Sequence, residues 1–571
     1  MSRPRSAIDE IAENYTRELL TLDPVLATNL GLPGHDAEWT DYSPDGEQAR
    51  HDLARRTLTH LETATPADPV DQVTLAAMRE RLGLAVEMHE AGLTGGQLRV
   101  IDCPAQHIRE VFDLAPTDTE DDWAAIGKRL STLPDTMDGY LRSLRMAVEQ
   151  GRAPAARQVA SVAANAQRYA ENGFFTDFVA STTQRADPLP STLLSQLTAG
   201  AEASAGAYHE LARFLREEVA PVASPRDAVG RDAYRLWSRE FLGSEVDLDE
   251  TYEWGLAELA RVEDEMRRVA AEIVPGGDTA EAIAALDADP ARRLEGTDAL
   301  RTWMQRVSDE AVTALSAEHF DIPEQIRRLE CRIAPTQDGG IYYTGPSDDL
   351  SRPGRMWWSV PEGVTSFTTW QETTTVYHEG VPGHHLQIGQ TAVRSGLLNT
   401  WRRMVCWVSG HGEGWALYAE RLMDELGYLQ DPGDRMGMLD SAAFRSARVV
   451  VDIGTHCGLA APDEVGGGTW DAEKMWAFLT SHCRVEHSQL AFERDRYLGW
   501  PGQAPSYKVG ERIWRQLREQ ARAHDPNSFD LKDFHRRALD VGSVGLEVLA
   551  TALSPATQGN AAAPPPGGAG R

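Results

Sequence analysis

Between residues 372 and 387 the chain reads Glu-Thr-Thr-Thr-Val-Tyr-His-Glu-Gly-Val-Pro-Gly-His-His-Leu-Gln, and the Pro-Gly pair at 382 and 383 limits what this segment can become. Proline has no N–H, and its ring clashes with the carbonyl four residues back, here that of His378. With Gly383 beside it, a helix running into this point must kink or bulge before it continues. The interruption matters because histidines stand on both sides of it, at 378, 384 and 385. On a straight helix a six-residue step turns about 240° and climbs about 9 Å, while a seven-residue step restores the face but climbs about 10.5 Å. Neither pair would meet at one ion. A bulge that absorbs two residues would bring His384 to the place normally held by a histidine four residues after His378.

Read that way, the run is His-Glu-x-x-His with two residues inserted, a pattern in which two histidines chelate Zn²⁺ and the glutamate, here Glu379, serves as general base. The Gly383-His384-His385-Leu386 ending resembles the Gly-His-Ala-Leu ending of zinc-peptidase helices, which favours His384 over His385 as second ligand. Catalytic zinc sites use three protein ligands and keep a fourth position for water. The third is sought in Gly410 to Glu420, where Trp415, Ala419, Leu422, Met423 and Leu426 follow helical spacing and predict a helix from near Gly412. Glu413 falls in its first turn and Glu420 on nearly the same face two turns on. Glu413 is preferred because the glycine after it permits close approach, and His411 is expected to shape the preceding loop.

The phrases Tyr377 to Gln387, Glu413 to Glu420 (Glu-Gly-Trp-Ala-Leu-Tyr-Ala-Glu) and Pro501 to Gly510 (Pro-Gly-Gln-Ala-Pro-Ser-Tyr-Lys-Val-Gly) together resemble the bacterial domain of unknown function 885 family. Asp452 to His456, Arg496-Tyr497, Asp533 to His535 and the opening Asp23 to Gly31 extend the resemblance over nearly the whole chain. The family is similar in plan to helical gluzincin metallopeptidases, which implies a His-His-Glu metal set in a deep cleft. The expected fold is mainly α, a large two-lobed helical metallopeptidase-like architecture with a small β-sheet edge beside the cleft. Residues 1 to 555 are expected to form a single such unit, with the motif-bearing half at about 335 to 555.

Periodicity agrees with a helical chain. Leu248, Tyr252, Leu259, Val262, Met266, Val269 and Ile273 hold a three-and-four spacing, and Ile8, Ile11, Tyr15 and Leu19 open an amphipathic helix behind Ser6. Near 339 the texture changes: Ile341 to Tyr343 and Met356 to Val360 are short β-prone runs, placed where they could form an edge for an extended substrate. Residues 556 to 571 lack core-forming side chains and are expected to be disordered.

Charge and cysteine usage narrow the partners. With 87 acidic and 56 basic residues the net charge is −31, which argues against nucleic acid or an anionic membrane as partner. Surface solvation accounts for it better than attraction of cationic substrates. Five cysteines without paired spacing suggest reduced thiols and a cytoplasmic protein, and no segment of about 20 apolar residues occurs.

Amide hydrolysis also needs donors for the oxyanion. Tyr507, on an expected loop after Pro501-Gly502, is the first choice and His456 the second. Arg448, Arg496 and Lys508 are the cations nearest the motifs, and an arginine among them could hold a substrate C-terminus; structural pairing with Asp452, Glu493 or Asp495 is the plainer account. His482, His487 and His535 have no metal-type spacing. The sequence therefore points to a zinc-dependent metallohydrolase of peptide or peptide-like amide bonds. His378, His384 and Glu413 would hold one Zn²⁺, with Mn²⁺ or Co²⁺ as substitutes. A metal-dependent amide-processing enzyme of a dedicated biosynthetic pathway is the alternative. A non-catalytic scaffold fits less well, because Glu379 would have no reason to be kept. The substrate and the oligomeric state stay open.

Overall fold

Ser6 starts the first helix, Ala7–Leu22, through a reciprocal cap: its hydroxyl accepts from the Asp9 N–H at 3.1 Å while the Asp9 carboxylate takes the Ser6 N–H at 3.0 Å. In the computed structural model, which describes residues 3–184, 187–334 and 340–554, helices of this kind make up most of the protein. The expected disordered tail, 556 to 571, lies outside the described residues.

The periodic stretch from 248 is the helix Leu248–Ile273, with Leu248, Tyr252, Leu259, Val262, Met266 and Val269 buried. It packs along the helix Pro432–Cys457, and Gly255 is what lets the two axes approach, since a Cβ there would press on Val449. The largest apolar cluster takes in residues on both sides of position 335, from Ile8 to Leu553. A second cluster lies within residues 25–219, chiefly on the helices Glu120–Glu149 and Ser191–Phe214.

Two small sheets stand beside the central helices. The β-prone runs become the strands Ile341–Thr344 and Gly354–Trp358, which pair antiparallel, and Leu329–Ile333 adds to the other side of Gly354–Trp358 in parallel. Among the described residues Ile341–Thr344 is thus an edge strand. Ser359 donates to the Gly340 carbonyl at 3.0 Å, so Gly340, Tyr342 and Thr344 face the partner strand, and the backbone N–H and C=O groups of Ile341 and Tyr343 point outward. A two-stranded ribbon, Arg293–Glu295 with Ser366–Thr368, leads directly into the helix Thr369–Glu379. All five cysteines are free, and among the described residues no helix is long and apolar enough to cross a membrane.

Candidate metal centre

The Thr369–Glu379 helix does not bulge at Pro382, as expected from its sequence; it stops. Gly380 caps it, a turn spans 380 to 383, and a new helix, His384–Val393, begins at the second histidine. Three backbone bonds close the turn: Gly380 N–H to Val376 O at 2.9 Å, Gly383 N–H to Tyr377 O at 3.1 Å and His385 N–H to Gly380 O at 3.1 Å. Any side chain at 383 would overlap the His378 carbonyl, so glycine is required there. Trp415, fully buried on another helix, donates its Nε1–H to the Pro382 carbonyl at 2.8 Å and fixes the turn from outside. The inserted residues are absorbed in this turn, and the His378 and His384 rings meet with centroids 4.8 Å apart, nearly perpendicular.

Glu413 comes from the helix Ser409–Glu425, which starts three residues earlier than its apolar spacing suggested and includes His411 in its first turn. His411 Nδ1 bonds the Val544 carbonyl at 3.0 Å, so it braces the helix start instead of shaping a loop. Glu413 Oε2 lies 3.3 Å from His378 Nε2 and 3.4 Å from His384 Nε2, and the three donor atoms fall within 4.8 Å of one another. Among the described residues Glu413 Oε2 and His384 Nδ1 are both buried without a hydrogen-bond partner.

The other two candidate ligands have different partners. Glu420 stands behind the cluster: its Oε1 meets His378 Nδ1 at 2.7 Å, and its second oxygen accepts from the Thr374 hydroxyl. His385 places Nε2 2.7 Å from the Ile326 carbonyl and Nδ1 2.9 Å from the Tyr343 hydroxyl. Burial pushes its pKa down to about 4, so a neutral ring donating to Ile326 and accepting from Tyr343 satisfies both nitrogens.

Around the cluster, burial raises the Glu379 carboxyl against the pull of His384 and His378. Burial works the same way on Glu413, but there the two imidazoles win and hold it well below the usual carboxylate range. His378 is drawn above its ordinary value by Glu413 and Glu420, although burial alone would lower it.

These groups line a cavity of about 760 Å³ bounded by the edge strand Ile341–Thr344, the Thr369–Glu379 helix and the Pro432–Cys457 helix. Tyr507 lines it too, but not from a loop: it sits in the first turn of the helix Ser506–His524. That helix packs on Ser409–Glu425 where Gly510 meets Gly410 and Gly414, with no room for a Cβ on Gly510 or Gly414. The turn before it is anchored by the Gly502 N–H bond to Asp452 at 3.0 Å and by the Ser506–Ser409 hydroxyl contact at 2.8 Å. Burial, then Glu413, raise the Tyr507 phenol, so it stays protonated beside the cluster.

Of the cations expected to bind substrate, Arg448 lines the cavity but is committed, with Nε donating to the Tyr497 hydroxyl at 2.7 Å and Nη2 to Glu493 at 3.2 Å. Arg496 and Lys508 do not line it. Arg496 bonds Glu493 at 3.2 Å and Gln503 at 2.6 Å, and Lys508 is buried between Glu511 at 2.5 Å and Glu258 at 3.1 Å. His456 is also placed elsewhere: Nε2 meets the Tyr497 carbonyl at 2.9 Å, Nδ1 accepts from the Val229 N–H at 3.4 Å, and burial lowers it to about 4. With both nitrogens engaged, its ring has no donor for an oxyanion. Sequence reading overlooked Arg445 and Glu372, which do line the cavity. Arg445 lies three residues before Arg448, and Glu372 seven before Glu379, on shared helix faces; that spacing was the available signal.

A family model described as "Bacterial protein of unknown function (DUF885)" matches residues 24–553. Among solved structures, a "putative lipoprotein" from Colwellia psychrerythraea superposes with a TM-score of 0.84 at 24% identity, covering 97% of this chain and 99% of that one. A "putative lipoprotein of unknown function" from Shewanella oneidensis gives 0.73 at 16% identity, covering 96% and 99%. No curated protein matches the sequence.

Proposed function

We propose that this chain, which belongs to the DUF885 family of bacterial proteins, is a zinc-dependent hydrolase of peptide or peptide-like amide bonds built on a two-lobed, gluzincin-like plan. The observation that carries the reading is the convergence of three donors from three helices. Ligand atoms arranged tetrahedrally at the 2.0–2.1 Å typical of zinc stand about 3.3–3.4 Å apart, and the Glu413 oxygen lies 3.3 and 3.4 Å from the two histidine nitrogens. Apart from those two imidazoles the oxygen has no polar partner among the described residues. Zinc is chosen by donor type; Mn²⁺ and Co²⁺ suit the same set.

A divalent ion held there would polarise an amide carbonyl and acidify water. The remaining chemistry belongs to the side chains. Glu379, made more basic by burial, accepts the proton of the attacking water and delivers it to the leaving nitrogen. Tyr507 keeps its phenolic proton and donates it as a hydrogen bond to the oxyanion. Glu420 occupies His378 Nδ1, which orients Nε2 toward the cluster. The outward N–H and C=O groups of Ile341 and Tyr343 offer an extended substrate a strand to pair with. A cytoplasmic setting is part of this reading, on the strength of five free thiols. The two similar structures carry the description "putative lipoprotein", and cell fractionation separates a cytoplasmic from an envelope setting.

The test is elemental analysis together with a peptide-library digest read by mass spectrometry. The expected result is one zinc per chain and hydrolysis that stops on chelation and returns with zinc. Glu379→Gln should keep the zinc while the rate falls by ~10² to 10⁴. Near-normal turnover in that variant, or a wild-type protein that takes up no metal, refutes the reading.

A further inference from the structure

The Pro432–Cys457 helix turns Ser441, Phe444, Arg445 and Arg448 toward the cavity at three- and four-residue spacing. The cavity's arginines differ in what they already hold. Arg448 is tied to Tyr497 and Glu493, and Arg484 lies 3.6 Å from Asp440. Arg445 makes no ion pair with any carboxylate among the described residues. Its Nη1 donates to the Ser441 carbonyl at 3.3 Å and to the Ser441 hydroxyl, its Nε is buried without a partner, and Nη2 makes no hydrogen bond among the described residues. Yet its charge acts on Glu379, Glu420 and Tyr507, the groups that surround the metal cluster. A buried donor with no acceptor is costly, and a guanidinium left with free N–H groups at a reaction centre is arranged to meet an anion.

We propose that Arg445 is the specificity-determining residue of the cleft and binds a carboxylate of the substrate close to the scissile bond. The inference rests on the amide-hydrolase reading and names its substrate class: peptides or small amides that carry a free acid near the bond to be cut. The acid can be a C-terminal carboxylate or an Asp or Glu side chain, since a guanidinium meets either through the same hydrogen bonds. Arg445 also offsets nearby negative charge, from Glu379 and Glu420. That role alone would affect every substrate equally, which allows the two to be separated.

The experiment measures binding, so it does not depend on turnover. Zinc-loaded Glu379→Gln protein is titrated calorimetrically with three N-acetylated tripeptides of one parent sequence: the free acid, the C-terminal amide, and an amide with glutamate as last residue. At least one acidic peptide should bind about 10- to 100-fold more tightly than the plain amide, the range for a hydrogen bond to a charged group. Which acidic peptide wins identifies the source of the carboxylate. Adding Arg445→Met should bring all three within about threefold while zinc content stays near one. Arg445→Lys, which keeps the charge without the fork, should retain part of the preference and stands in if the methionine variant does not fold. Equal affinity for the three peptides, no binding of any, or a preference that survives in Arg445→Met overturns the proposal. Should the preference appear as expected while zinc-loaded wild-type protein hydrolyses none of the library, the hydrolase reading fails and the carboxylate site stands.

Discussion

His378 can point Nε2 at the cluster only if Nδ1 is satisfied elsewhere, and Glu420 does this at 2.7 Å with its other oxygen held by Thr374. Replacing Glu420 by glutamine keeps the shape and an acceptor but removes the charge. A hydrogen bond to a charged group contributes about 1.5–3 kcal/mol and a neutral one about 0.5–1.5, so the exchange costs about 1–1.5 kcal/mol, or roughly tenfold in zinc affinity. Glu420→Ala leaves a buried Nδ1–H without acceptor and should reach the upper end of the 10- to 100-fold range seen for such supporting groups. The same carboxylate also raises the proton affinity of His378, and that proton must leave when metal enters. Competition from the proton therefore masks part of the loss at low pH, and the deficit should be larger at pH 8.5 than at pH 7.0. Competition against a chromophoric chelator at both pH values gives the constants. Zinc-dependent gain in melting temperature gives an independent check, since each tenfold loss removes about 1.4 kcal/mol of linked stabilisation. Affinities within threefold of wild type in both variants would show that Glu420 does not support a metal ligand.

Three further outcomes are expected. His384→Ala should empty the site, whereas His385→Ala should keep zinc and lose stability, because its ring bonds Ile326 and Tyr343; elemental analysis with a melt decides, and the reverse pattern would refute the ligand assignment. Tyr507→Phe should lower kcat by ~10² to 10³ with little change in KM; an intact kcat with a lowered melting temperature would make the tyrosine structural. Burial raises Glu372 to about 7, so between its unfolded value near 4.5 and pH 7 the folded chain binds more protons than the unfolded one and stability falls as pH rises. Glu372→Gln should then be more stable than wild type at pH 8, by up to about 3 kcal/mol less the relief from cavity water, and no different at pH 4; equal melts at both pH values would contradict this.

The residues of the candidate cluster, His378, His384 and Glu413, could be singled out because they sit in short phrases whose residue types have few other uses together, whereas their geometry depends on contacts from distant parts of the chain. Pro382 and Gly383 announced an interruption; three local backbone bonds close it into a turn between two helices, and Trp415, which lies more than thirty residues on, holds that turn by donating to the Pro382 carbonyl. Helix phase explains where two other candidates fall. Lys508 follows Tyr507, yet one residue is a rotation of about 100°, enough to send it to Glu258 and Glu511 while the phenol enters the cavity. His456 lies eight residues after Arg448 on one helix, and the cavity wall does not extend that far. Arg448 and Arg445 share a face and cannot be ranked from their own positions. What separates them is that Glu493 and Tyr497, on the helix His487–Gly499, reach one and not the other. Whether a charged side chain is free to bind substrate is therefore decided by the side chains packed around it, and the sequence near it carries that information only after the helices have been docked.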